Sequence, residues 1–174
     1  ERLPSASDAP VSDSGLTRST RELVERPASD ALIRAAPLAE ILEPHRALQA
    51  RLRIAYGGEE GGFETWLAPL VRRYAAFVHL LPATPDAHFR EPGGLLRLGL
   101  EVGLHAVQAA DGQLFVARGT VTERRALAPR WRTAAFLAGL CADLNRAISA
   151  AAIIADDGAR WLPLRGPLAD WLAA

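Results

Sequence analysis

Residues 93–110 read GGLLRLGLEVGLHAVQAA, and this stretch carries the clearest structural signal in the chain. From Leu95 to Val107, apolar side chains recur around almost the whole helical circumference, which is typical of a helix at the centre of a bundle. Small residues recur at steps of four, three and four, and such a stripe allows a second helix to approach closely. The stripe consists of Gly99, Gly103, Ala106 and Ala110. The stretch therefore predicts a central, closely packed helix.

Apolar residues at helical spacing predict further helices on the N-terminal side of this stretch. A helical segment runs from Pro37 to Ile54 and is split in two by Pro44, because proline removes a backbone donor and restricts the residue before it. A second helix extends from Phe63 to Leu80. A loop rich in proline then leads into the central helix.

The C-terminal side combines helices with a turn. A helix from Thr122 is predicted to break at Pro129, and a buried helix then continues from Trp131 to Ile148. The segment 153–162 places Asp156-Asp157-Gly158 between short apolar pairs, a pattern that favours a β-hairpin. A short helix, Leu168–Leu172, closes the chain. The predicted architecture is mainly α, a helical bundle with a small C-terminal β-hairpin.

The chain divides into two parts by composition. Residues 1–36 are rich in Ser, Pro and Asp and lack sustained periodicity, so they are predicted to be a polar linker or N-terminal arm. Residues 37–174 form the predicted helical domain. The chain begins with Glu1 and contains no Met, so we expect it to be a piece of a longer protein.

Composition and charge exclude several classes of protein. The 174 residues include 20 basic side chains, all Arg, against 20 acidic ones, so there is no overall basic field of the kind that marks many nucleic-acid binders. The single cysteine, Cys141, excludes a disulfide framework and a zinc site with several Cys ligands. No apolar run is long enough to span a membrane. We therefore expect a soluble, cytoplasmic domain with no membrane contact.

The basic side chains are unevenly distributed. Residues 45–146 hold 13 Arg against nine acidic residues, whereas residues 1–44 are net acidic. This group can be a solvated helix face, which composition alone favours, or a patch that contacts phosphates, since the Arg guanidinium offers planar bidentate donors. Its most closely spaced members are Arg118, Arg124, Arg125, Arg130 and Arg132.

Few residues carry an obvious chemical signal. The four histidines form no H-x-x-x-H pair, and the chain has no phosphate loop or G-x-S-x-G elbow. His88 differs from the others because it lies in the proline-bounded loop before the central helix, either as a functional residue or as a loop cap. Cys141, in an Ala-rich run, is most simply a small core residue.

Two carboxylates lie within predicted buried helices. Glu101 has Arg97 one turn before it, and Asp143 has Arg146 just after it, so structural ion pairs are the simplest interpretation. The alternative is that a carboxylate from each of two packed helices faces a shared cavity.

Residues 88–102, HFREPGGLLRLGLEV, resemble the HD-type domain near the start of MobH-class, TraI-like conjugative relaxases. Family members commonly read H-H-x-x-x-G-G-L-L-x-H-S-L-E-V there. The later segment 140–146, LCADLNR, falls where the family carries L-x-H-D-x-G-K. The resemblance covers roughly residues 37–172.

This resemblance implies an HD-domain-like helical bundle with phosphohydrolase chemistry. It assigns His88 and Asp143 as catalytic residues and as ligands of a divalent metal (Mn, Fe or Zn), which would stabilise charge developing at phosphorus. The ligand motif is degenerate, because Phe89, Leu98 and Ala142 stand where the family has histidines. We therefore expect a lost or altered metal site and no bound metal.

The resulting hypothesis is a relaxase-like HD domain of a bacterial conjugative or integrative element. Its partners would be origin-of-transfer DNA and conjugation proteins. The residues expected to contact DNA are Arg124, Arg125, Arg130, Arg132 and Arg146.

Two alternatives remain open. One is an active metal-dependent phosphodiesterase that nicks DNA with His88 and Asp143. The other is a helical protein–protein interaction module that presents an exposed Trp in an apolar patch. The candidates for that Trp are Trp66, Trp131, Trp161 and Trp171.

Overall fold

Helices dominate the part of the chain that the computed structural model describes, which is residues 34–57, 62–113 and 118–174. These residues belong to one compact unit, Ala31–Ala174. Almost all of the predicted N-terminal arm, 1–36, lies outside the described residues. The helices are α1 (Leu38–Leu42), α2 (Arg46–Tyr56), α3 (Gly62–Val78), α4 (Gly94–Asp111), α5 (Val121–Leu140), α6 (Leu144–Ala150) and α7 (Leu168–Leu172), with short 3₁₀ helices at Glu43–His45 and Pro163–Arg165.

The predicted central helix is confirmed as α4. Five of its side chains are fully or almost fully buried, and they pack against apolar residues of α2, α3 and α5. Those five are Leu95, Leu96, Leu100, Leu104 and Val107. The prediction that Pro44 divides the first helical segment is also confirmed, because it lies in the 3₁₀ helix between α1 and α2.

The stripe of small residues on α4 does allow close approach, and the approaching helix is α5. A Cβ atom built on Gly103 would lie 2.7 Å from the Phe136 ring. A Cβ on Gly99 would lie 2.9 Å from the carbonyl oxygen of Leu140, and α5 contributes its own glycine, Gly139, whose Cβ would lie 2.8 Å from the carbonyl oxygen of Val102. The two backbones therefore come nearer to each other than larger side chains would permit.

Gly93 and Gly94 serve two different structural purposes at the start of α4. Gly93 has a φ of 79°, in the left-handed region that glycine adopts at little cost. A Cβ on Gly94 would overlap the backbone carbonyl of Phe89. The loop before α4 is thus folded back onto the start of the helix, and the amide of Ala83 donates to the Phe89 carbonyl oxygen at 2.9 Å.

The prediction that a helix breaks at Pro129 is wrong, because α5 runs without interruption through that residue. Its start is stabilised by a capping box, in which the Thr120 hydroxyl accepts from the Glu123 amide and the Glu123 carboxylate accepts from the Thr120 amide. The chain instead turns at 141–143, so the predicted helix Trp131–Ile148 is two helices, α5 and α6. Cys141, predicted to be a core residue, is exposed at this turn.

The predicted β-hairpin is not supported, because the described residues contain no strand. Only an isolated antiparallel bridge joins Ile154 and Arg160. The amide of Ala155 donates to the Ala159 carbonyl at 2.8 Å, and the amide of Trp161 donates to the Ile153 carbonyl at 3.0 Å. The two short segments have no third strand beside them to extend the ladder, so pairing stops after one bridge.

No helix among the described residues is long and apolar enough to cross a membrane.

Candidate functional site

His88 lies in the loop before α4 with its side chain exposed to solvent. The surrounding loop is held by Thr84, whose hydroxyl donates to the His88 carbonyl oxygen at 2.8 Å and accepts from the Ala87 amide at 3.2 Å. These bonds fix the backbone of His88 but leave its imidazole unpaired among the described residues. His88 and Asp143, predicted to act together, share no hydrogen bond or ion pair in that part of the chain.

Asp143 lies just before α6 and is engaged by its own neighbour. The Arg146 guanidinium donates to the Asp143 carboxylate from Nε at 3.0 Å and from Nη2 at 2.8 Å. The ion pair predicted from the sequence is therefore confirmed, and it sits at the surface. The guanidinium thus offsets part of the negative charge of the Asp143 carboxylate.

A buried tyrosine lies next to this acidic turn. The Tyr74 hydroxyl, from α3, is buried without a hydrogen-bond partner among the described residues. It approaches α4 so closely that a Cβ on Gly99 would lie 3.0 Å from its oxygen. Burial raises the pKa of Tyr74, and the neighbouring Cys141 and Asp143 act in the same direction. Tyr74 therefore stays protonated at neutral pH, and no sequence pattern had singled it out.

The residues at the motif positions do not fit the divalent metal that the resemblance implies. In residues 34–57, 62–113 and 118–174, no three His, Cys, Asp or Glu side chains lie close enough together to hold a metal ion. Leu98 is a half-buried apolar residue packed against the core, and the Ala142 side chain has no atom that could bind a metal. Partial burial raises the pKa of the Cys141 thiol, which disfavours the thiolate form that binds metals and attacks substrates.

The five arginines predicted to contact DNA fall into two groups. Arg132 pairs with Asp111 at the end of α4, with its Nη2 atom 2.8 Å from the carboxylate, and Arg146 pairs with Asp143. Arg124, Arg125 and Arg130 make no ion pair with any described residue.

The unpaired arginines lie on a projecting part of α5. Gly99 of α4 lies against Leu140 of α5, whereas Asp111 at the end of α4 pairs with Arg132, so the two helices are antiparallel. Residues before Arg132 therefore extend beyond the C-terminal end of α4. Arg124 and Arg125 lie about 10–12 Å further along the axis. None of residues 121–130 is buried. Arg130 lies about 140° around the helix from Arg125, so it faces a different direction.

A cleft that the sequence analysis did not predict opens between the N-terminal helices and α4. Its volume is about 440 Å³, within the usual range for ligand pockets. Its walls come from α1, the first 3₁₀ helix, α2 and the first two turns of α4. The polar side chains that line it are Glu40, His45, Arg51, Glu91, Arg97 and Glu101. Glu101 therefore faces a cavity, as one of the two interpretations of its position proposed, although Asp143 does not share it.

Three of the charged side chains that line this cleft are paired with one another. Arg97 donates from Nε to Glu101 at 2.9 Å, confirming the predicted ion pair, and its Nη1 lies 3.5 Å from Glu91. Burial lowers the pKa of His45, the Arg97 charge lowers it further, and Glu101 partly opposes both. His45 is thus a neutral imidazole at pH 7. No local sequence pattern distinguishes His45 from the other histidines, because the cleft forms between elements that are distant in the sequence.

Comparison with known proteins identifies a family. A family model named TraI_2, described as "Putative helicase", matches residues 24–174. No curated protein and no solved structure matches the chain.

Proposed function

The chain belongs to the TraI_2 family, and from this membership we propose that it is a relaxase-like domain that handles DNA in conjugative transfer. Its partners would be origin-of-transfer DNA and other conjugation proteins, in the bacterial cytoplasm. Within this proposal, the helical bundle corresponds to the HD-type domain of MobH-class relaxases. The G-G-L-L…L-E-V block that supports this comparison forms the start of α4 and one wall of the cleft.

We propose further that the metal site of this domain has been lost or altered. The supporting observation is the ion pair between Asp143 and Arg146, which occupies the one carboxylate retained from the family's H-D pair. Leu98 packs against the core where the family places a histidine. The domain would then hold DNA or conjugation proteins rather than cut a phosphodiester bond.

The single observation that carries the DNA-holding role is the pair Arg124 and Arg125 on the projecting turns of α5. Both guanidinium groups lack an acidic partner among the described residues, so their charge is available to phosphate. The helix end that bears them extends past the end of α4, and none of residues 121–130 is buried.

Duplex-binding measurements test this role directly. The double variant Arg124→Ala/Arg125→Ala should bind duplex DNA more weakly than the unaltered protein. The slope of log affinity against log salt should fall by about 1.8, because two phosphate contacts are lost. The matched control is Arg72→Ala/Arg73→Ala, which removes two adjacent exposed arginines from α3. Equal losses in both variants would contradict a localised site.

An observation also favours the protein–protein alternative. Of the four candidate tryptophans, Trp66 and Trp131 are exposed, Trp171 is half-buried and Trp161 is buried. Three large apolar side chains near the C-terminus are exposed as well, namely Ile154, Leu162 and Leu164. Exposed apolar groups of this kind mark interaction surfaces when they lie together. Replacing all three with Ser should abolish co-purification of a conjugation protein while leaving duplex binding intact, if this surface serves a protein partner.

A further inference from the structure

A second concave site lies at the C-terminal end of the chain, and its lining includes no residue of the cleft or of α5. It is formed where the 3₁₀ helix Pro163–Arg165 turns into α7, and its volume is about 310 Å³. We call it the C-terminal notch. The residues that line it and matter below are Arg160, Trp161, Arg165, Asp170 and Trp171.

The notch has a rigid wall. The Trp161 indole N–H donates to the carbonyl oxygen of Gly166 at 3.1 Å. This bond holds the two ends of the segment 161–166 together. The same ring meets Phe77 of α3 edge to face, with the centroids 5.9 Å apart. Trp161 is only 5% exposed, so it supports the notch, whereas Trp171 is the half-buried aromatic that can meet a ligand.

Two cations border this aromatic wall. Arg160 and Arg165 are both exposed, and neither forms an ion pair with a described residue. Asp170 also lines the notch, so its net charge is +1. Arginine beside an aromatic ring in a concave site is the combination with which proteins hold single-stranded nucleic acid, since the ring stacks on a base and the guanidinium meets phosphate.

We propose that the C-terminal notch binds one nucleotide of a single-stranded nucleic acid, with the base against Trp171 and the adjoining phosphates on Arg160 and Arg165. This inference rests on the DNA-handling role proposed above and adds a second contact to it. A duplex does not suit the notch, because paired bases are stacked on one another and cannot reach an aromatic side chain without being flipped out. A Glu-rich peptide would pair with the arginines but offers no flat ring to stack on Trp171.

Probe chemistry tests the proposal on the unaltered protein. A short single-stranded thymidine oligonucleotide should bind more tightly than an abasic oligonucleotide with the same number of phosphates. The expected difference is about 5- to 150-fold, the contribution of one stacked base. Equal binding of the two probes would show that phosphate alone is recognised and would overturn the proposal.

Variants then locate the contact. Trp171→Ala should remove the preference for the thymidine probe, whereas Trp66→Ala, which removes a 57% exposed tryptophan from α3, should retain it. Arg160→Ala/Arg165→Ala should lower the salt slope for the thymidine probe by about 1.4, and Arg72→Ala/Arg73→Ala should not.

Asp170→Asn should tighten binding of the thymidine probe, because a negative charge next to the phosphates is removed. Effective competition by a Glu-rich peptide of equal charge would assign the notch to a protein partner instead.

The same measurements separate this inference from the proposed function. If the notch variants bind both probes as the unaltered protein does, while Arg124→Ala/Arg125→Ala loses duplex affinity, the notch does not bind a nucleotide and the DNA-handling role stands. If the notch variants lose affinity for the thymidine probe while the α5 variant keeps its duplex affinity, the nucleotide contact at the notch is supported and the duplex contact at α5 is wrong. Failure of the unaltered protein to bind any of these nucleic acids would overturn both.

Discussion

The carboxylate of Asp143 accepts two hydrogen bonds from the guanidinium of Arg146, which lies three residues further along the chain. The pair is partly solvent-exposed on both sides. It occupies the turn between α5 and α6, where the family resemblance places a metal-binding carboxylate. The function of this turn therefore depends on whether the Asp143 carboxylate binds Arg146 or a metal ion.

Asp143→Ala should leave the metal content of the protein, purified without chelator, equal to that of the unaltered protein. The free energy of unfolding should fall by less than about 1 kcal/mol, because exposed ion pairs contribute little. Asp111→Ala is the matched control, since it removes another partly exposed pair, the one with Arg132. Stoichiometric Mn, Fe or Zn that is lost in Asp143→Ala but kept in Asp111→Ala would favour the active nuclease.

Gly139→Ala should destabilise the protein although alanine is the better helix former. The added Cβ would lie 2.8 Å from the Val102 carbonyl oxygen and 2.9 Å from the Cα of Gly103, both backbone atoms that cannot move aside as a side chain can. The helices α4 and α5 must separate, and we expect the free energy of unfolding to fall by about 1–3 kcal/mol in urea titrations.

Gly112→Ala is the control for this substitution. Gly112 has a φ of −82°, and a Cβ there would make an ordinary contact at 3.7 Å with the Ala109 carbonyl oxygen. Its stability should be unchanged or slightly raised. Equal stabilities for Gly139→Ala and Gly112→Ala would show that α4 and α5 are not in tight contact.

The sequence predicted the features that depend on neighbouring residues. The all-round apolar pattern and the small-residue stripe of α4 arise from helical periodicity, and the Arg97–Glu101 pair arises from i,i+4 spacing. Features that depend on tertiary packing were missed. Pro129 stays within α5 because the helix is capped at Thr120 and packed against α4 further on, and neither effect is visible at the proline itself.

In the candidate sites, too, the sequence predicted what depends on neighbouring residues and missed what depends on tertiary packing. The exposed arginines could be named from the sequence, but their separation into paired and unpaired groups depends on Asp111, 21 residues from Arg132. The cleft and the C-terminal notch are spaces between elements, so no local pattern encodes them. The surroundings of Tyr74 and His79 could not be predicted, because Tyr74 lies against Gly99 and His79 hydrogen-bonds the Ala36 backbone, both distant in the sequence.

Tyr74→Phe should stabilise the protein. The Tyr74 hydroxyl is buried without a partner among the described residues, so its removal relieves a desolvation cost and should raise the free energy of unfolding by about 1 kcal/mol. Tyr56→Phe is the matched control, because the Tyr56 hydroxyl lies 3.2 Å from the Thr133 hydroxyl in a hydrogen bond. That variant should lose about 1 kcal/mol. A loss of stability in both variants would indicate that the Tyr74 hydroxyl has a partner.

His79 should make stability depend on pH. His79 is 1% exposed, and its Nε2 atom lies 3.2 Å from the amide nitrogen and 3.1 Å from the carbonyl oxygen of Ala36. Burial lowers the pKa of His79 below 6.5, and the hydrogen bond to the Ala36 backbone opposes this only in part. Well above pH 6.5 His79 is neutral in both the folded and the unfolded state, and its contribution to stability is fully present. As the pH falls from 6.5 towards the lowered pKa, the unfolded state binds the proton first, so stability declines by at most about 1.4 kcal/mol per pH unit for this one group.

Urea titrations at a series of pH values check this dependence. His79→Asn should flatten the decline below pH 6.5, and asparagine is chosen because it tolerates the positive φ of 47° at this position. His45, whose pKa is also lowered, contributes in the same direction, so part of the slope should survive in the variant. His105→Asn, which replaces an exposed histidine of α4, is the control. If the slope is as steep in His79→Asn as in the unaltered protein, His79 is not held neutral against the Ala36 backbone.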